Sequence, residues 1–228
     1  MWFAIQAAHL YRVIWFYSAD FPQAGSSNAA YAVIANLATT VAGALSIGLI
    51  VMDWETGLLP NAFTLSGVFA GLLFLCTQAI FLGPGEGQIL LTPNSPKLTS
   101  VGATTDPGNI FMTGPEALIL GRIAAVVGAV VLLLVVRRLY RLVRHREGMG
   151  LGDVKFLAMI TAFLGFWPAM LSLFFGIVGA SLFGLFGLAR GRLDRSSRLP
   201  FGSFLGIGAL LTAQVGDRIL EAYFRLLR

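Results

Sequence analysis

The chain has 228 residues, of which 57% are hydrophobic and only 12% charged, more apolar side chain than a soluble core of that size needs. Several apolar runs approach the roughly 20 residues that cross a bilayer as helix, which points to an integral membrane protein in contact with lipid. The net charge of +5 does not imply a nucleic-acid partner, because the arginines are concentrated in two segments between apolar runs, where membrane orientation places them.

Seven apolar runs, at about 2–19, 30–52, 62–82, 116–137, 153–167, 168–189 and 201–221, predict an all-α, polytopic transmembrane bundle forming one domain over 1–228. The first run begins "MWFAIQAAHLYRV" with no basic start, so it reads as a span rather than a cleaved signal peptide. Its His9 reads as structural. The second run ends in "DWETGLLPN", which carries Asp53 and Glu55, the latter a solvated loop acid. Pro60 and Asn61 open the third, which holds the sole cysteine, Cys76. One cysteine excludes an intrachain disulfide and a cysteine-only metal cluster, and no metal or other cofactor is expected.

The segment at about 83–115 is rich in Gly, Pro, Ser and Thr, contains one basic residue, Lys97, and reads as a long flexible loop. The fourth run opens at Gly114–Glu116 and passes into "RRLYRLVRHREGMGLGDVK", with Arg137, Arg138, Arg141, Arg144, His145, Arg146 and Lys155. Trp167 and Pro168 are predicted to break the fifth helix from the sixth. "ARGRLDRSSR" then separates the sixth from Pro200 and the seventh. The positive-inside rule places both arginine-rich segments in the cytoplasm. By parity the N-terminus and "DWETGLLPN" are cytoplasmic, and the 83–115 loop is extracytoplasmic.

That parity matters for two acids. Asp53 ends one helix and Asp153 opens another, so both lie at the cytoplasmic level although 100 positions separate them. An acid near the membrane interior is costly unless it meets water or a partner, which makes it a functional candidate. Two acids brought close in a partly desolvated cleft do not both ionise easily, so the pair holds a general base and a general acid around one water. Taken singly, each is also accounted for by solvent contact, and Asp153 by the dipole of its own helix.

Gly148, Gly150 and Gly152 alternate just before Asp153 in "REGMGLGDVKFLA". Their spacing fits neither phosphate-binding glycine motif. Glycines there allow positive φ and close approach of another chain, so the stretch reads as a hinge that admits an extended peptide beside Asp153.

Three segments, "MDWETGLLPN", "REGMGLGDVKFLA" and "LPFGSFLGIGA", resemble in order and placement the signature segments of the type IV prepilin peptidases, membrane aspartic peptidases of the G-x-G-D type. The resemblance implies that Asp53 and Asp153 are the catalytic pair. It also implies cleavage of the short basic leader of a prepilin or pseudopilin precursor at the cytoplasmic face of an inner membrane. Lys155 occupies the family's lysine position, where it biases the acids or contacts substrate, and Pro200, Phe201 and Gly202 fill the "PFG" segment near the site. Asn61 stands where many members have Asp. The chain resembles a short form without the cysteine-containing cytoplasmic domain of larger members, so N-methyltransferase activity is not expected. Two other readings remain: a G-x-G-D protease of the presenilin or signal-peptide-peptidase type that cuts within the bilayer, and a non-enzymatic transporter or assembly scaffold.

Overall fold

A computed structural model describes residues 1–19, 26–82, 115–144, 150–190 and 200–226. Those residues form seven helices: α1 (Trp2–Ala19), α2 (Ser26–Thr56), α3 (Asn61–Leu82), α4 (Pro115–Arg144), α5 (Leu151–Leu164), α6 (Phe166–Ala189) and α7 (Phe201–Leu226). Among the described residues, four stretches are long and apolar enough to cross a membrane: Ala32–Thr56, Asn61–Ile80, Ile119–Val143 and Phe166–Ala189. The protein is a multi-pass membrane protein built as an all-α bundle.

The short α5 is the axis of the fold. Its 14 residues rise about 21 Å, less than the hydrocarbon thickness. From Phe156 onward it is buried around its whole circumference and apolar but for Thr161, and such a helix needs cover on every side. Helices α2, α3, α4, α6 and α7 all pack against it, while α1 packs on α2. Val154 and every residue from Phe156 to Leu164 are buried, and Phe156, Leu157 and Met159 share one cluster with Leu49 of α2, Leu133 of α4 and Leu205 of α7.

In lipid, helices gain little from hiding apolar surface and associate through close packing, which favours small residues at contacts. The α6–α7 pair depends on this: a Cβ on Gly176 would stand 3.0 Å from the Leu205 Cα, so this approach leaves no room for a side chain. Gly67 meets Met159 and Gly71 meets Ala162 and Phe163 in the same way, which seats α3 on α5.

Several predicted boundaries shift, α2 starting at Ser26 and α7 ending at Leu226, and three of the shifts have a cause in named residues. The chain breaks between α5 and α6 at Gly165, with φ 96°, rather than at Trp167–Pro168. A left-handed φ favours glycine, and Pro168 falls in the first turn of α6, where a missing N–H loses no intrahelical bond. Helix α2 continues to Thr56 and is closed by Gly57, whose φ of 63° lets its N–H donate to the Asp53 carbonyl at 2.9 Å. Helix α4 continues to Arg144, because arginine is a good helix former and suits the negative end of the dipole.

At the far end of α5, buried Arg122 of α4 donates through Nη1 to the carbonyls of Thr161 and Ala162, at 3.3 and 3.1 Å. The Thr161 carbonyl also accepts from the Gly165 N–H at 2.9 Å, and a cation on the last carbonyls of a helix adds a second donor there and complements the dipole.

Candidate active site

Four segments meet at the opposite end of the bundle: the last turn of α2, the turn at 57–60, the first turn of α5 and the first turn of α7. Leu59 links them. A Cβ on Gly152 would come within 2.9 Å of the Leu59 Cβ, and a Cβ on Gly202 within 2.9 Å of both the Leu59 Cδ1 and the Asp53 Oδ2. Both glycines therefore serve as clearances, through which α5 and α7 close on the turn that follows Asp53.

Asp53 is 5% exposed and Asp153 is 8% exposed. The Asp53 Oδ2 accepts two hydrogen bonds from one residue of α7, the Ser203 N–H at 2.6 Å and the Ser203 hydroxyl at 3.0 Å. Ser203 is the third residue of α7, so its N–H is one of the donors that a helix start leaves without an intrahelical acceptor. A carboxylate from α2 thus caps another helix, with the positive end of that helix's dipole facing it. The same hydroxyl lies 3.1 Å from the Ile50 carbonyl, which ties α7 to α2 a second time.

Asp153 is held locally. It is the third residue of α5, and its Oδ2 accepts from the backbone N–H of Gly150 at 3.1 Å, the backward reach of a capping-box acid. Asp153 lies outside the four long spans, and burial pushes its carboxyl up from the usual range to about 6. The Gly150 N–H pulls the other way, and the charge of Asp53 adds a further raise, which means that the two acids feel one another.

The glycines act differently from the sequence expectation. Gly150 has φ −73° and ψ 154°, an extended conformation open to any residue, and Gly152 lies within α5. Among the described residues the positive-φ glycines are Gly57 and Gly165, so close approach at Gly152, rather than positive φ, is the property the site uses. Gly148 lies outside the described residues, as do His145 and Lys97.

Lys155, half-buried on α5, donates to the Asn61 Oδ1 at 2.7 Å, joining the starts of α5 and α3 beside the acids. Pro200 immediately precedes α7, and Phe201, its first residue, packs against the main core. Glu55 is exposed and His9 is bonded to Asn36 at 2.8 Å, so neither joins the acids. Sequence reasoning missed Ser203 and Leu59. Ser203 directly follows the "PFG" segment, a signal that it stands in the first turn of the next helix, but its partner 150 positions away is visible only in the fold.

Among the described residues no group of three or more His, Cys, Asp and Glu side chains is arranged to hold a metal ion. The site's chemical resources are two buried carboxyls, helix-start donors on one of them and an amine–amide link alongside.

Residues 40–185 match the type IV leader peptidase family, a segment that contains both acids. A prepilin leader peptidase/N-methyltransferase of Burkholderia pseudomallei (strain K96243) is 40% identical over 98 residues, covering 41% of this chain and 31% of the relative. The protein of the same name from Xanthomonas campestris pv. campestris is 34% identical over 118 residues, 51% of this chain and 39% of the relative. That from Pseudomonas putida is 36% identical over 106 residues, 45% of this chain and 37% of the relative. The chain thus spans well under half the length of these relatives. No solved structure matches it. With the match running through more than half of the sequence and both buried acids inside it, the chain belongs to the type IV leader peptidase family.

Proposed function

We propose that this protein is a membrane aspartic endopeptidase that removes the leader of a prepilin or pseudopilin-like precursor at the cytoplasmic face of an inner membrane. The observation that carries this reading is the pair of buried acids, delivered to one end of the bundle by helices 100 positions apart and close enough for the charge of one to raise the other. The relatives' names supply the substrate class.

In the proposed reaction Asp53 acts as base and Asp153 as acid. A water between them loses a proton to Asp53 while its oxygen bonds to the scissile carbonyl carbon. Asp153, whose carboxyl burial makes easier to protonate, acts in its protonated form: it first donates a hydrogen bond to the developing oxyanion and then gives its proton to the leaving amine as the C–N bond breaks. The arginines at the end of α4 and the start of the 190–198 segment fit a cytoplasmic location for this end of the bundle. Methylation of the new N-terminus is not part of the proposal, since the match covers only about a third of relatives whose names carry both activities.

The test is cleavage of a prepilin-like substrate by the purified chain in lipid, read by mass spectrometry. Asp53→Asn and Asp153→Asn are each expected to lower the rate by at least about a thousandfold, as losses of residues that act as a unit do. Cleavage by either variant at the parent's rate overturns the mechanism. A cut inside the hydrophobic segment, rather than at its boundary, identifies an intramembrane protease instead, and no cleavage by the parent supports the scaffold reading.

A further inference from the structure

We propose that Ser203 is a positioning residue for Asp53, fixing which oxygen of that carboxylate takes the water proton. The inference rests on the peptidase reading above and adds a residue to it. Ser203 is buried and places two donors on the same atom, Asp53 Oδ2, at 2.6 and 3.0 Å. An oxygen that already accepts two hydrogen bonds has its lone pairs engaged, so Oδ1 is the oxygen with capacity for a proton. Rotation of the carboxyl about its last torsion, which is otherwise soft, would break both bonds at once.

The hydroxyl has one proton and two acceptors within reach, the Asp53 Oδ2 and the Ile50 carbonyl at 3.1 Å. A charged acceptor takes the stronger bond, so the proton goes to Asp53 while that side chain is a carboxylate. When Asp53 gains the water proton, the hydroxyl can turn to Ile50 without losing a partner. Ser203 thereby follows the charge of the base through the cycle, which the backbone N–H, fixed by α7, does not do. Gly202 completes the arrangement, because a side chain there would collide with the same Oδ2.

Two substitutions separate hydrogen bonding from packing. Ser203→Ala removes the hydroxyl; Ser203→Cys keeps a side chain of similar size but offers only a weak donor. Both are expected to lower kcat for the prepilin-like substrate by about three- to tenfold, with KM within about twofold of the parent and the melting temperature in lipid or detergent unchanged. Parent kcat in Ser203→Ala overturns the proposal. A Cys variant at parent kcat beside a slow Ala variant overturns it too, because packing would then explain the residue. Asp53→Asn serves as the control for the underlying reading: a parent no faster than Asp53→Asn overturns the peptidase reading and this proposal together, whereas an active parent with unimpaired Ser203 variants overturns this proposal alone.

Discussion

Asp53 and Asp153 are buried to nearly the same degree, yet they are held by opposite means. Asp153 finds its donor three residues back, at the cap of its own helix, so its environment is written into a short segment. Asp53 finds its donors on α7, 150 positions away, so its environment exists only once two helices have docked. The difference teaches where each acid is vulnerable. Local sequence changes threaten Asp153 little if the helix start survives, whereas Asp53 depends on the exact separation of α2 and α7.

The largest expected contrast is between two glycines, one beside each acid. In Gly202→Ala the new Cβ would lie 2.9 Å from the Asp53 Oδ2 and 3.0 Å from its Cγ, so the acid or α7 has to move. Displacements of about 1 Å at reacting groups cost on the order of a hundredfold, and a fall in kcat of that size is expected from the cleavage assay. In Gly150→Ala the Cβ would stand an ordinary 3.5 Å from the Asp153 Oδ2, on a backbone any residue adopts, and activity within about threefold of the parent is expected. Equal losses in the two variants would break the distinction between a docked acid and a locally capped one.

A smaller effect concerns charge. The folded state holds the Asp153 carboxyl at about 6, above its ordinary 3.8. A group whose folded value is raised stabilises fully below the unfolded value, and that contribution is lost as pH rises through the folded one. The window is therefore pH 4 to 6, and about two units of displacement amount to about 2–3 kcal/mol. Asp153→Asn cannot ionise but can still accept from Gly150. Its melting temperature is expected to exceed the parent's by several degrees at pH 8 and to match it at pH 4, in detergent scans at both values. A constant difference across that range would show that burial does not control this acid.

The smallest effect is expected at Lys155. Its bond to Asn61 is solvent-exposed, and such bonds contribute about 1 kcal/mol or less. Lys155→Met should change kcat by less than about threefold. A loss near that of Gly202→Ala would sharpen the comparison by showing that Asp153, too, relies on a contact between helices.

Much of this arrangement was legible beforehand. Seven apolar runs gave the seven helices, because a segment that meets lipid must satisfy its backbone internally and be apolar for most of its length. The pairing of the two acids followed from counting helices, since each crossing reverses direction. The break at Gly165 was misplaced because proline is a strong signal in sequence, but its effect depends on whether it falls in a first turn or an interior one. The glycines before Asp153 were legible as important, but sequence did not distinguish positive φ from close approach.

The sequence by itself determined the class of the protein and the order of its helices, and it singled out Asp53 and Asp153 as candidates, because these depend on hydropathy and on short motifs. Only the tertiary structure decided what holds Asp53 and how the two acids are brought to one end of the bundle. Ser203, Leu59 and Gly202 acquire their roles from contacts across the bundle, and a contact between residues 150 positions apart is set by how helices pack, which no local pattern specifies.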